Sequence, residues 1–244
     1  LKPTLTTIEM NIPSAKLSPF TPALASATIF VTAMTLFLCP RPQAADLAPL
    51  PVQLPDAGYE GTPKDMPPDT TAEKPTGKPR PPFMAPKGVS NVSAGKPVTS
   101  SDNSPISGDI KQITDGKKQA WDENVVLLRK RTQWVQVDLG SEFNIYAVVV
   151  WHEHKTPVVY RDVIVQVSDD PEFKNGVQTL FNNDQDNSSG VGVGTDREYF
   201  ENYEGKLIDG KGTKARYVRC YSKGNTDHAL NGYVEVEVFA LPAK

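Results

Sequence analysis

Between residues 133 and 140 the chain alternates strictly. Val135, Val137 and Leu139 are apolar, and Trp134, Gln136 and Asp138 stand between them. A period of two is the mark of a strand with two unlike faces, and Gly140 closes it. The next run, Ile145-Tyr146-Ala147-Val148-Val149-Val150-Trp151, is almost wholly apolar. A hairpin this apolar needs another sheet to cover it, which places it at the centre of a β-sandwich.

The same period recurs downstream. Val163, Val165 and Val167 share one face of a strand; Val218 and Cys220 share another, opposite Tyr217, Arg219 and Tyr221. The last strand sets Val234, Val236 and Val238 against Glu235 and Glu237. Residues 91–101 predict an opening edge-type strand containing Pro97, and residues 177–181 a short strand. No segment after residue 87 sustains a helical period, so the domain is predicted all-β, with about eight main antiparallel strands. Between residues 182 and 199 lies a long polar loop, a kind of segment that often carries function.

Composition divides the chain. Of 22 prolines, 17 fall in residues 1–87, which predicts a domain boundary there, since strand-rich domains tolerate few prolines. Residues 88–244 suffice for one domain with a proper core. Residues 46–87 predict a proline-rich disordered linker, a semi-rigid stalk or a docking strip for a partner, with Phe83 and Met84 placed to tuck against the domain. Residues 1–45 read as a signal peptide whose start falls at Met10. The uncharged run of residues 23–38 precedes Pro40 and Pro42, with Ala44 and Ala45 offered for cleavage. That run is short for a membrane span, and an uncleaved anchor is the alternative. The expected location is secreted, periplasmic or at the cell envelope, with no membrane span after cleavage.

The formal net charge is −3, and loss of residues 1–45 would leave 23 basic and 28 acidic residues, so nothing resembles the basic footprint of a nucleic-acid binder. Cys220 would then be the remaining cysteine; its alternation predicts a buried small hydrophobe. No nucleophile elbow, zinc-protease motif or phosphate loop is present, so no enzyme is expected.

Taken in order, several motifs resemble one family. They are Asn91-Val92-Ser93 with Gly95-Lys96-Pro97; Ile113-Thr114-Asp115-Gly116 with Trp121; residues 134–140; Val165-Gln166-Val167-Ser168-Asp169-Asp170; Ala215-Arg216-Tyr217-Val218-Arg219; and residues 235–239. Together they resemble the discoidin, or coagulation-factor five/eight type C, domain of the galactose-binding-like folds. The resemblance implies a jelly-roll sandwich with ligand loops at one end, and relatives that bind glycans, lipid headgroups or proteins. It also implies a structural calcium ion held by Asp115 and Glu235 with carbonyls of the intervening loop. Here, however, that loop reads Asp-Gly-Lys-Lys-Gln-Ala-Trp and carries two lysines. For sugar binding, the family's use of His, Arg and Asn with an aromatic platform points to His152 or His154, Arg161, Asn182 or Asn183, and Tyr160. Trp151, at a strand end, is the tryptophan expected to be exposed, whereas Trp121 and Trp134 are expected in core or rim packing.

Two further clusters invite a metal and fit poorly. Residues 182–187 depart from the EF-hand template, and His152 with His154 lacks a fixed third ligand. The basic triplet Arg129-Lys130-Arg131 reads as a solvated turn. The function expected is a non-catalytic binding module for a glycan or cell-surface polysaccharide. The alternative is a docking module for proteins of an envelope assembly.

Overall fold

The structure is a computed structural model that describes residues 46–59, 63 and 65–243. The signal-peptide reading of residues 1–45 lies outside the described residues. No helix among the described residues is long and apolar enough to cross a membrane.

Ten strands carry the fold. β1 (Leu47–Pro49) and β2 (Met84–Pro86) form a small antiparallel pair. β3 (Ser90–Asn91), β4 (Val98–Ser100), β5 (Val126–Leu128), β6 (Gln133–His152), β7 (Ile164–Ser168), β8 (Gln178–Asn182), β9 (Lys206–Ser222) and β10 (Asn231–Pro242) make an eight-stranded antiparallel system. Its backbone order is β3-β10-β6-β9-β7-β8, with β4 also on β6 and β5 on β10.

Two strands are long enough to serve both layers. The first part of β6, up to Asp138, pairs with β4 and with the far end of β9; from Phe143 on it pairs with β10 and the near end of β9. The ladder breaks between Asp138 and Phe143, where Gly140 has φ +87°, a conformation open to glycine at no steric cost. This is the bend that folds one sheet into a sandwich. The interior holds Val135, Val137 and Leu139 from one side of the bend, and Val148 and Val150 from the other. Val165, Val167, Val218, Val236 and Val238 join them. The all-β sandwich expectation holds.

The apolar run before His152 has a second explanation beyond the facing sheet. Ala147, Val149 and Trp151 point away from the interior into a separate cluster with Val234 and Phe239, and Leu50, Ala85 and Val89 cover them. Residues 46–87 are therefore not the free spacer that their proline content predicts. The described residues of this stretch run as a strap along the sandwich, within the same compact unit. Proline keeps the strap extended, and its apolar positions dock. Hydrogen bonds secure it. Leu50 N–H donates to the Phe83 carbonyl (2.8 Å), Tyr59 Oη to the Glu201 carbonyl (2.7 Å) and Thr70 Oγ1 to Glu198 (2.7 Å). The Arg80 side chain donates to the carbonyls of Glu204 and Gly205.

Strand β10 also departs from simple alternation. A register shift between Tyr233 and Glu235 turns Val234 outward, away from Val236 and Val238. Glu235 and Glu237 share that outer face, and both are buried rather than solvated.

Candidate functional site

The loop end of the sandwich gathers the residues that sequence pattern proposed for a sugar, but it encloses them. His152 is fully buried and stacks on Tyr160, with centroids 4.2 Å apart and planes 16° from parallel; Tyr233 lies on its other neighbouring side at 4.6 Å. Its Nδ1 bonds Glu201 at 2.6 Å, and that carboxylate is buried too. Tyr160 Oη accepts the Gly232 amide. These groups hold the rim together and present nothing to a ligand.

His154 lies apart from this pair. Its Nε2 donates to the Lys118 carbonyl at 2.9 Å, and burial holds its ring below the usual histidine range. Trp151 is buried rather than exposed. Its indole N–H donates to the Tyr203 carbonyl (2.9 Å), and Gly205 presses on the ring so closely that a Cβ there would stand 2.6 Å from it. The exposure is reversed between the tryptophans: Trp121, expected to pack, is 59 % exposed. The strap covers Trp151, whereas nothing in the short 3₁₀ turn Asp122–Asn124 folds back over Trp121.

Asn182 and Asn183 are spent on the 182–199 loop and its anchor. Asn182 Oδ1 accepts the Asp184 amide and its Nδ2 donates to the Gly192 carbonyl, while Asn183 Oδ1 accepts the Val163 amide. Arg161 is half-buried and bonds Glu198 and the Asp69 carbonyl, tying loop to strap. Of the proposed sugar ligands, this arginine is the most exposed.

Within the loop, one carboxylate oxygen each from Asp162, Asp184 and Asp186 lie within 4.8 Å of one another, a possible ligand group for a metal. Their needs are already met locally. Asp184 accepts the amides of Ser188 and Ser189 and the Ser189 hydroxyl; Asp162 accepts the Ser188 hydroxyl at 2.6 Å, with Lys223 at 3.6 Å.

The calcium site implied by Asp115 and Glu235 fits its residues badly. Asp115 Oδ1 accepts the Lys117 amide (2.9 Å), and Glu235 Oε2 accepts the Gly116 amide (3.1 Å). Two carbonyls of the intervening loop already accept hydrogen bonds, that of Lys118 from His154 and that of Gln119 from Asn124. An ammonium, Lys118 Nζ, already stands 2.9 Å from Glu237. No step is therefore assigned to calcium.

One open cleft, of about 310 Å³, lies beside the 182–199 loop and takes in Asn182. Another, of about 790 Å³, lies between the strap and the turn before β9. Tyr59, Thr76 and Lys78 line it from the strap; Asn202, Tyr203 and Glu204 line it from the turn. That volume suits a small ligand, and the lining mixes two aromatic rings with amide, hydroxyl, ammonium and carboxylate groups. Sequence reading missed this cleft because nine of its twelve lining residues come from a segment whose composition signals only extension. The nearest signal was the Phe83-Met84 pair at the strap's far end.

Comparison with known proteins agrees with the resemblance. Residues 112–220 match the F5/8 type C family model described as a NedA-like, galactose-binding domain. Among solved structures, a fucose-binding module of Streptococcus pneumoniae is similar at 19% identity and TM-score 0.43, covering 63% of this chain and 96% of that one. A Clostridium perfringens CBM32 module in complex with GlcNAc-α-1,4-galactose is similar at 15% identity and TM-score 0.45, covering 64% and 96%. The CBM32 of AlyQ in complex with 4,5-unsaturated mannuronic acid is similar at 20% identity and TM-score 0.41, covering 59% and 93%. No curated protein matches.

Proposed function

We propose that this domain, matched over residues 112–220 by a galactose-binding family model, is a non-catalytic glycan-binding module that holds its sugar in the cleft between strap and sandwich. The observation that carries the reading is the lining of that cleft. Tyr59 and Tyr203 offer ring faces to the C–H surface of a sugar, and Asn202, Thr76, Lys78 and Glu204 offer hydrogen bonds to its hydroxyls. Hydrolysis of a glycoside ordinarily needs two carboxyl groups across the scissile bond, and Glu204 is the single carboxylate among the described lining residues. Its Oε1 accepts the Arg80 amide at 2.8 Å, which supports a role in binding rather than proton transfer. The apolar run of residues 23–38, ended by Pro40, supports display outside the cytoplasm.

A glycan array probed with the full chain tests this. Specific binding is expected, with affinity falling about tenfold in Tyr203→Ala, the loss of one stacking ring at about 1.4 kcal/mol. The Trp151 bond goes to the Tyr203 backbone carbonyl and survives this change, so the fold should persist. A featureless array, or binding indifferent to both Tyr203→Ala and Tyr59→Phe/Ala exchanges, would dismiss the cleft.

A further inference from the structure

The loop between Thr114 and Trp121 sits over the outer face of β10, and what it delivers there is a lysine. Lys118 Nζ is 2.9 Å from Glu237 Oε1, with both side chains about nine-tenths buried (10% and 8% exposed), and it stands 5.2 Å from the centre of the Trp151 ring. The position is fixed from several sides. The Lys118 carbonyl takes the His154 Nε2 proton, and Gly116 N–H donates to Glu235. Glu235 pairs in register with Trp151 and Glu237 with Val149, so both carboxyl groups and the ammonium share one patch of sheet.

This patch has an unusual charge problem. Two glutamates are buried side by side, and one oxygen of each, Glu235 Oε1 and Glu237 Oε2, has no hydrogen-bond partner. A buried carboxylate is costly unless a cation or a proton meets it. Lys117 cannot serve: its side chain is 67% exposed and lies 3.8 Å from Asp115, out at the rim. Lys118 is the ammonium that reaches the buried pair.

We infer that Lys118 is the resident cation of this site, doing from within the chain the charge-balancing that a divalent ion would do, so that the domain folds without metal. One ammonium balances one carboxylate, Glu237. Glu235 is met differently: its Oε2 takes the Gly116 amide at 3.1 Å, so the same loop supplies that carboxyl group with a donor. The place beside Glu237 that a divalent ion would take is filled by the Lys118 ammonium. The ring of Trp151 adds a favourable face for the ammonium.

The test is thermal unfolding of the full chain with millimolar calcium and with a chelator. The native melting temperature should be the same in both. Lys118→Arg should keep that temperature and that indifference. Lys118→Met keeps the apolar stem but not the charge, and should melt many degrees lower or fail to fold. A native chain that gains several degrees with calcium or loses them to chelator would overturn the inference. A Lys118→Met variant that melts like the native chain would overturn it too, since packing alone would then explain the lysine. Glycan affinity is a separate readout, because Lys118 is not part of the cleft lining.

Discussion

The molecule contains two acidic clusters that look alike in sequence and are satisfied in opposite ways. Asp162, Asp184 and Asp186 lie in and beside the polar loop, and their oxygens are met by serine amides and hydroxyls of that same loop, with Lys223 at its edge. Glu235 and Glu237 lie on the outer face of β10, away from any loop of their own, and are met by a lysine and an amide from a segment more than a hundred positions earlier. A loop can bend its own backbone donors around a carboxylate. A strand cannot, because its amides are already committed to the ladder. Carboxylates on a covered strand face must therefore import a cation or keep a proton, and this chain does both.

Three substitutions would break or sharpen that contrast. Lys118→Ala has the largest expected effect, a loss of about 3–5 kcal/mol in urea unfolding, the cost of stranding one member of a buried ion pair. A loss under 1 kcal/mol would mean that the two clusters are satisfied alike. Asp184→Ala comes next. It leaves the Ser189 amide and hydroxyl without their shared acceptor and should cost about 1–3 kcal/mol, independent of calcium. If chelation alone reproduced that loss in the native chain, the loop cluster would be a metal site after all.

Glu235→Gln has the clearest pH signature of the three. Folded Glu235 holds its proton to about pH 9, whereas the unfolded chain releases it near 4.5. Through that window the native state binds more protons than the unfolded state. The contribution of Glu235 is thus complete below pH 4.5 and lost as pH rises through 9. Glu235→Gln should flatten the fall in stability between pH 6 and 9, read from unfolding midpoints across that range. Parallel slopes for native and variant chains would show the carboxyl to be ionised throughout.

Much of the sandwich was legible before any coordinates, and the limits have physical causes. Alternation at residues 134–140 and 163–167 marked core faces correctly, since period two reports a strand with one dry side. The unbroken Val148-Val149-Val150-Trp151 run carried more than was read from it. A strand apolar on both faces needs two covers. The facing sheet is one, and Leu50 and Ala85 of the strap are the other. The exchange of roles between Trp121 and Trp151 follows from that missed cover. The bulge at Val234 could not be seen either, because a one-residue register shift leaves no trace in an alternating string. The burial of most candidate sugar residues was hidden for a related reason. Residue type and strand-end position do not reveal that His152 stacks on Tyr160 and bonds Glu201, or that Asn182 bonds its own loop. Of the two lysines after Asp115-Gly116, one reaches inward, with Lys118 Nζ 2.9 Å from Glu237.

The strap also bears on the order in which the domain is assembled. Tyr59 closes its hydrogen bond with a carbonyl 142 positions later, and Leu50 and Ala85 rest on β10, the last strand of the chain. The first described residues to leave the ribosome are therefore among the last to find their partners. Such high sequence separation slows folding, because a large loop must close before its contacts contribute. Until β10 is in place, Trp151 and the outer face of β6 have no roof. An extended, proline-stiffened segment is well suited to that delay: it has little structure of its own to lose and few wrong pairings to make while it waits.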